Sequence, residues 1–270
     1  MAQAGNNLDD HHQKPQPEGS IILLPIILHM QPHNRSTMSP TAFWALAFEQ
    51  STHVNPRQGD DREEEAFWQE YAPQYDERSP LARLATDVIA DARALLRSND
   101  SLLEIGPGSG AFTRRLAGCV TSIIGVEPSA AMRAEFVRRW PDDDAHPPPQ
   151  LIAAKWEDCA APTADIVFSA NALYRVTDIA TALLKMTGCA RRRVILVQTV
   201  GRPHANPLVV QAQGNTYERE RADALCDVLG ELEIKFRDRR YLVDRGDRTA
   251  CEVALIDWPS AGKSSEFDAD

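Results

Sequence analysis

The sequence predicts an α/β protein built on one sheet of seven strands, mostly parallel, with helices on both faces and an antiparallel last strand. Three observations support this prediction. Short apolar runs alternate with helical stretches between residues 101 and 200, the runs are apolar at almost every position, and only the loop DRGDRT joins the last two strand candidates. Strands covered on both faces are continuously apolar, and two strands joined by so short a loop must run antiparallel.

The chain before this alternation falls into two parts. Residues 1–40 are polar and rich in proline apart from the run IILLPIILHM, so we expect a disordered or loosely attached extension. Residues 41–98 carry helical patterns and are expected to form an N-terminal helical segment. In its last and longest helix, Ser79 is the predicted N-cap and Pro80 takes the first helical position.

The alternating region predicts the elements of the sheet in order. The strand candidates are 101–105, 122–127, 151–156, 164–171, 193–200, 233–243 and 250–258. The helical stretches among them are 111–118, 129–140, 177–190 and 217–232. Strands and helices in this rhythm form right-handed βαβ units and a parallel sheet. We therefore expect one domain over 99–260. We also expect a solvated turn at the triple arginine 191–193 and a flexible tail at 261–270.

The stretch LLEIGPGSGAFTRRLA, residues 102–117, is the strongest functional signal. Its three glycines, Gly106, Gly108 and Gly110, follow a strand and open a helix. Such a turn lets the backbone approach a ligand closely, because no Cβ intrudes, and it lies at the carboxyl edge of a parallel sheet, where nucleotide-like ligands bind. The sequence therefore predicts a Rossmann-like nucleotide site at this turn.

Two kinds of nucleotide fit this turn. Gly106, Gly108 and Ala111 match the dinucleotide pattern G-x-G-x-x-G/A, and Glu127 follows Gly108 about 20 residues later, where that pattern places a ribose acid. Glu104 helps to distinguish them, since it ends the first strand, where a dinucleotide fold prefers an apolar residue. A carboxylate there is costly unless it meets a donor or cation, such as the amino group of a methionine moiety. The alternative is a pair with an arginine of the chain such as Arg114.

The motifs in order resemble those of class I S-adenosylmethionine-dependent methyltransferases, over residues 63–258. LEIGPGSG resembles the first motif, VEPSAAM the second, and KWEDCAAPTADIVFSANALYRVTDIATALLKM the next two. EAFWQEYAPQYD resembles the N-terminal segment that covers the cofactor in this family. The resemblance implies methyl transfer from S-adenosyl-L-methionine, with residues 41–98 acting as a lid over a methyltransferase domain.

The resemblance also assigns residues to the cofactor. It implies that Glu127 holds the ribose, that the loop after the third strand holds the adenine edge, that Asn171 lies beside the methionine part, and that Tyr71 belongs to the lid. The complete set of implied cofactor residues is Tyr71, Glu104, Gly106, Gly108, Gly110, Glu127, Pro128, Met132, Trp156, Glu157, Asp158 and Asn171.

The residues after the fourth and fifth strands are the candidates for binding the acceptor. They are Tyr174, Arg202 and His204. His204 is the first candidate for a general base, because an imidazole pKa of ~6.5 suits proton removal near neutrality, and Tyr174 is the second catalytic candidate. Arg202 is suited to pair with an acceptor carboxylate or phosphate.

Composition narrows the choice of partner. The formal charge of −10 disfavours binding of a polyanion such as nucleic acid. In addition, NALY stands where enzymes that methylate nucleic-acid amino groups carry N/D-P-P-Y/F. We therefore expect a small-molecule acceptor and no nucleic acid. No metal-ligand spacing is present, and we expect no metal. Five widely spaced cysteines and the absence of a 20-residue apolar run lead us to expect a cytoplasmic protein with no membrane partner.

Two other functions stay open. An NAD-dependent oxidoreductase would use the same glycines and Glu127, although the sequence shows no Tyr-x-x-x-Lys pair. A non-catalytic, methyltransferase-like domain would keep the fold and bind a partner. Binding of S-adenosylmethionine, of its demethylated product or of NAD distinguishes these possibilities.

Overall fold

The computed structural model describes residues 38–79, 81–141, 148–160, 162–201, 207–244 and 250–260. Of the expected extension over residues 1–40, residues 1–37 lie outside the described ranges. The expected tail at 261–270 lies outside them entirely. Pro80, Arg202 and His204 are also outside the described residues. None of the helices in these ranges is long and apolar enough to span a membrane.

The sheet has the predicted architecture. The strands are β1 (Ser101–Ile105), β2 (Ser122–Val126), β3 (Gln150–Ile152), β4 (Ala164–Ala170), β5 (Ala190–Val200), β6 (Leu208–Ala212), β7 (Asn215–Arg219), β8 (Arg237–Val243) and β9 (Cys251–Pro259). Seven of them form one sheet in the order β3-β2-β1-β4-β5-β9-β8. The pairs from β3 to β5 are parallel, and β9 lies antiparallel between β5 and β8, so one strand of the seven is reversed.

Most of the longer helices begin where a side chain caps them. The helices are α1 (Pro40–Thr52), α2 (Pro56–Gly59), α3 (Asp61–Tyr71), α4 (Tyr75–Arg78), α5 (Leu81–Leu84), α6 (Thr86–Ala94), α7 (Thr113–Leu116), α8 (Ala130–Arg139), α9 (Ile179–Cys189) and α10 (Arg221–Glu231). Side-chain oxygens of Ser39, Asp60, Ser129 and Asp178 accept backbone N–H groups at the starts of α1, α3, α8 and α9. Each cap satisfies a donor that the first helical turn leaves free.

Helices cover both faces of the sheet, as predicted. On β1, Leu103 belongs to a core that contains Trp44 of α1 and Leu183 of α9. Its neighbour Leu102 belongs to a second core, which contains Val88 of α6. Because successive side chains of a strand point to opposite faces, the apolar run of β1 supplies both cores.

The predicted helix 217–232 is wrong over its first turn. Residues Asn215–Arg219 form β7, which pairs with β6 as an antiparallel hairpin, and α10 begins only at Arg221. Gln213 and Gly214 form the hairpin turn with φ values of 53° and 77°. Tight two-residue hairpin turns need such positive φ values, which Gly214 adopts without strain.

Several predicted boundaries also move. Ser79 is the C-cap of α4 rather than the N-cap of a long helix, and that helix is divided into α5 and α6 at Ala85, whose ψ is 57°. The third strand ends at Ile152 instead of residue 156. β8 starts at Arg237 instead of residue 233, because Glu233, with φ of 55°, terminates α10 in a left-handed conformation.

The expected solvated turn at 191–193 is wrong. β5 already starts at Ala190, and Arg192 and Arg193 are buried within the fold. Arg192 forms an ion pair with Asp100, and Arg193 forms one with Asp257, which is fully buried. Since a buried charge needs a partner, these pairs explain how the strand tolerates two arginines.

Candidate active site

A cavity of about 820 Å³ lies at the carboxyl ends of β1, β2 and β4. Small-molecule sites measure roughly 300–1,000 Å³, so the cavity has the size of one. Residues 55–79 form one wall, and we call them the lid segment. The predicted site residues that line the cavity are Tyr71, Gly106, Gly108, Glu127, Pro128, Met132, Trp156, Glu157, Asp158, Asn171 and Tyr174.

The lid segment is fastened to the elements that carry the glycine turn. Asp76 accepts hydrogen bonds from Ser109 Oγ at 2.5 Å and from Arg114 Nη2 at 2.6 Å. Arg139 of α8 donates to the carbonyl oxygen of Pro73 at 2.7 Å. Glu65 accepts the backbone N–H of Ala131 at 3.0 Å. These contacts hold one wall of the cavity against the turn and against α8.

The glycine turn is tightly packed. Gly106 has φ of 66°, and a Cβ on it would lie 2.3 Å from the Cβ of Ala172. Gly110 has φ of 78°, and a Cβ there would meet the ring of Phe136 at 2.7 Å. Gly110 lines neither this cavity nor the smaller one beside it. Its direct role in the structure is therefore to seat the turn against α8.

The helix after the turn is shorter than predicted. The sequence places it at 111–118, but α7 covers only Thr113–Leu116 and is followed by a 3-10 turn. A single helical turn offers few aligned N–H groups, so the site owes little to a helix dipole. The carboxylates around the turn, rather than a helix end, give this part of the cavity its chemistry.

Glu127 lies at the end of β2 with only 6% of its surface exposed. One carboxylate oxygen accepts the backbone N–H of Gly108 at 3.0 Å, and the other accepts that of Ser129 at 2.9 Å. Burial raises the pKa of Glu127 to about 7. Each oxygen retains acceptor capacity after these two bonds, because a carboxylate offers about four lone-pair directions.

Glu104, at the penultimate position of β1, is 1% exposed. Its Oε2 has no hydrogen-bond partner among the described residues. Burial raises the pKa of Glu104 to about 7, and the charge of Glu127 adds to the effect. The alternative pair with Arg114 is not formed, because Arg114 binds Asp76 and the carbonyl oxygen of Ser109.

The surroundings of Glu104 fit an ammonium group. It borders a small cavity that shares Gly106, Gly108 and Asn171 with the main one. An unsatisfied buried carboxylate is unstable in its charged form unless a donor or a cation reaches it. The Thr113 hydroxyl lowers the pKa of Glu104, but Oε2 still has acceptor capacity for a donor that enters the small cavity.

Asn171 follows β4 in a left-handed conformation with φ of 53°. Its Oδ1 accepts the backbone N–H of Thr199 at 2.8 Å and the hydroxyl of Thr199 at 3.1 Å. The side-chain oxygen is therefore used to join the ends of β4 and β5. What Asn171 can offer to the cavity is its amide N–H group and its backbone.

The loop after β3 brings Trp156, Glu157 and Asp158 to the cavity wall. The indole of Trp156 belongs to the core, and its N–H donates to the carbonyl oxygen of Ala182 at 3.2 Å. Lys185 binds the carbonyl oxygens of Trp156 and Glu157 and so fixes the loop. The side chains of Glu157 and Asp158 are exposed and free to face a ligand.

Tyr71 belongs to an aromatic group of the lid segment. Its ring stacks on Phe67, with centroids 5.1 Å apart and an interplanar angle of 24°, and meets Tyr75 edge to face. Trp68 completes the group at 6.2 Å from Tyr71. The structure thus gives the cavity an aromatic wall.

A hydrogen-bonded network behind this wall was missed by the sequence analysis. Glu64 is 5% exposed; its Oε1 accepts the indole N–H of Trp68 at 2.7 Å and the hydroxyl of Tyr174. Its Oε2 accepts Arg57 Nε at 2.9 Å, and the guanidinium of Arg57 covers the ring of Phe67. Three consecutive acids begin this part of the chain, and only the fold singles out Glu64.

Tyr174 is a poor base in this setting. Burial raises its pKa well above the ordinary value, and the nearby charge of Glu64 raises it further. The phenol therefore stays protonated near neutrality and donates to Glu64. Within the described part of the chain, no group of three or more His, Cys, Asp or Glu is placed to hold a metal ion.

A family model of the methyltransferase domain matches residues 75–247, most of the chain, including the glycine turn and Glu127. The chain belongs to this methyltransferase family. Membership decides against the NAD-dependent oxidoreductase, because the same glycines are accounted for within a methyltransferase. No curated protein matches the sequence of this methyltransferase.

Solved structures share the fold of the methyltransferase. DhpI in its SAH complex is 19% identical, with a TM-score of 0.52, and the match covers 73% of this chain and 95% of DhpI. A SAM-dependent methyltransferase of Leishmania major is 14% identical, with a TM-score of 0.52, and the match covers 80% of this chain and 83% of that protein. At such identities the likeness establishes the fold.

Proposed function

We propose that this methyltransferase transfers a methyl group from S-adenosyl-L-methionine to a small-molecule acceptor inside the 820 Å³ cavity. The observation that carries the proposal is the pair of buried carboxyl groups, Glu104 and Glu127, at the glycine turn. One has a vacant oxygen suited to an ammonium group, and the other keeps acceptor capacity suited to sugar hydroxyls.

The residues present fit this cofactor. Glu104 would bind the α-ammonium group of its methionine part, and Glu127 would accept hydrogen bonds from the ribose hydroxyls. Met132 and Pro128 supply apolar surface beside the adenosine, and Tyr71 covers it from the lid segment. The exposed acids Glu157 and Asp158 are available to the adenine edge.

The cofactor supplies a methyl group that its sulfonium already activates, so the protein need not create an electrophile. The chain's own contribution is to hold the acceptor in line and to exclude water, and positioning of this kind supplies roughly 7–11 kcal/mol of barrier reduction. Tyr174 donates a hydrogen bond and does not remove a proton. His204 stays a proposed general base, needed only for an acceptor that must lose a proton.

A small acceptor is supported by the size of the cavity and by charge. The volume of about 820 Å³ matches a small-molecule site, and the lid segment forms one wall of it with aromatic rings. The formal charge of −10 disfavours nucleic acid.

We also propose that residues 41–98 act as the lid unit of a domain over 99–260. The five cysteines are free thiols, which supports a cytoplasmic, reducing location.

Calorimetry combined with methyl-transfer assays tests this function. We expect S-adenosylmethionine and its demethylated product to bind and NAD not to bind. A tritiated methyl group should pass to a small compound in an extract of the source cells, and mass spectrometry of the product identifies the acceptor. Binding of the cofactor with no methylated product would favour the non-catalytic domain, and binding of NAD alone would contradict the proposal.

A further inference from the structure

Among the described residues, the cavity wall carries four basic side chains, and their partners differ. Arg57 pairs with Glu64 at 2.9 Å. Lys155 and Arg175 share Asp61 at 2.5 Å and 2.9 Å. The fourth basic side chain of the wall is Arg221, the first residue of α10.

Arg221 has no carboxylate partner within ion-pair distance among the described residues. The adjacent Glu220 uses its carboxylate to accept the backbone N–H of Gly201 at 2.9 Å. The contact of the Arg221 guanidinium is with the ring of Trp44, 5.5 Å from its centroid. A cation over an aromatic face is stabilised only modestly and keeps its capacity to bind an anion.

The side chain of Arg221 is also half-buried. Burial lowers the pKa of Arg221 to about 10, so the group remains charged at neutral pH. Desolvation of a charge is costly when nothing compensates for it. An anionic group that enters the cavity would supply this compensation, and a guanidinium offers two parallel N–H donors to a carboxylate or phosphate.

We propose that Arg221 binds an anionic group of the methyl acceptor, so that the acceptor class is a small carboxylate or phosphate-type oxyanion. This inference rests on the proposed function, since it assigns the same cavity to the acceptor. The rings of Phe67 and Trp68, whose centroids are 4.9 Å apart, fit an apolar or aromatic body on that acceptor. The sequence predicts anion binding at Arg202, which lies outside the described residues, whereas Arg221 lines the cavity as the first residue of α10.

Binding of matched probes tests the assignment. Benzoate, phenylphosphonate and neutral benzamide would be titrated into the protein with and without S-adenosylhomocysteine. We expect benzoate or phenylphosphonate to bind and benzamide to bind at least about tenfold more weakly. The R221Q variant should lose at least about tenfold in affinity for the anion, and R221K should fall between. Whichever of the two anions binds more tightly identifies the oxyanion type.

The control is R219Q, which removes an exposed arginine that pairs with Asp227 outside the cavity. It should bind the probes as the wild type does. The ligand-free melting temperature gives a second readout, because removal of an unpaired, desolvated charge in R221M should not lower it. A clear drop would indicate a structural role for Arg221 and count against the proposal.

The inference would be overturned if neither anion bound the wild type, if benzamide bound as tightly as benzoate, or if R221Q retained full anion affinity. S-adenosylhomocysteine binding is measured separately in the same variants and should not change. Failure of the wild type to bind S-adenosylhomocysteine would refute the proposed function. The probe titrations done in the absence of S-adenosylhomocysteine would still decide whether Arg221 binds anions.

Discussion

Glu104 and Glu127 are two buried carboxyl groups with the same raised pKa and different surroundings. Glu127 accepts two backbone N–H groups, whereas Glu104 has an oxygen with no partner among the described residues. The protein therefore holds Glu127 in place by itself, whereas Glu104 keeps an unused acceptor oxygen. This difference leads to separate expectations for the two side chains.

Removal of the carboxyl group at Glu104 should change how stability depends on pH. Its pKa is raised from 4.5 to about 7, so its favourable contribution is present below pH 4.5 and is lost as the pH rises through about 7. Relative to E104Q, the ligand-free wild type should lose on the order of 3 kcal/mol of unfolding free energy between pH 4 and pH 8. Urea unfolding at both pH values measures this. Parallel pH profiles for the two proteins would contradict the expectation.

The E127Q variant should bind S-adenosylhomocysteine at least about tenfold more weakly, a loss of about 1.4 kcal/mol, because an amide provides fewer acceptor sites for the ribose hydroxyls. Glutamine retains one oxygen for the turn, so the fold should persist. Calorimetry on E127Q and on E218Q, an exposed glutamate of β7, gives the comparison. Equal affinity in a folded E127Q would rule out the ribose assignment.

Gly106→Ala should disrupt the turn for two separable reasons. Its Cβ would lie 2.3 Å from that of Ala172, and its φ of 66° is strained for alanine. We expect G106A to weaken cofactor binding and to lower the melting temperature. In the double variant G106A/A172G the clash is removed, so part of the cofactor affinity and of the melting temperature should return. G188A, with nothing within 4 Å in α9, should instead be neutral or stabilising by about 0.5–1 kcal/mol. No rescue in the double variant would contradict the steric account.

At the residue scale, local sequence indicated some site residues and not others. Glu104, Gly106 and Glu127 follow strands whose apolar patterns place them at one edge of the sheet. Glu64 and Arg221 acquire their positions from long-range packing of the lid segment and of α10, which no local pattern encodes. Their chemistry could therefore be recognised only in the folded chain.

At the scale of elements, the lid segment is the part whose position decides access to the cavity. Asp76 has three of its attachments to the fold: Ser109, Arg114 and, at 3.5 Å, Arg139. These contacts join three separate pieces of the chain. The lid segment should therefore loosen as a unit when Asp76 is removed.

The D76A variant should show faster hydrogen exchange over residues 55–79 and weaker cofactor binding, several-fold in each case, with little change elsewhere. E70A, at an exposed position of the lid segment in α3, is the matched control. Hydrogen exchange with mass spectrometry locates the change. Unaltered exchange of the lid segment in D76A would show that other contacts hold it.

Elements with strong periodicity were predicted well, and those fixed by turns or ion pairs were not. The limits of β1 are those predicted, because its apolar run is bounded by polar residues. The hairpin β6–β7 was missed because Gln213–Gly214 is an uncommon turn pair, and the arginines of β5 were misjudged because Asp100 and Asp257 are distant in sequence. The first error thus has a local cause, and the second has a long-range one.

At the scale of the whole molecule, the sheet separates two apolar cores and brings the site to one of its edges. The alternation of strands and helices was enough to predict this architecture, since parallel strands place their carboxyl ends together. The cavity itself depends on the closure of residues 55–79 over that edge, which follows from tertiary contacts. The fold was thus more predictable than the shape of the site.

The most direct test of the account is the calorimetry of S-adenosylhomocysteine binding at pH 6 in buffers of different ionisation enthalpy. An ammonium group that binds Glu104 favours its charged form, so the affinity of the wild type should rise from pH 6 to pH 8. The wild type should release close to one proton more than E104Q at pH 6, a difference that cancels any release from Glu127. E104Q should bind at least about tenfold more weakly at pH 8. An E104Q variant with wild-type affinity and proton release, or a wild type that does not bind the ligand, would contradict the account.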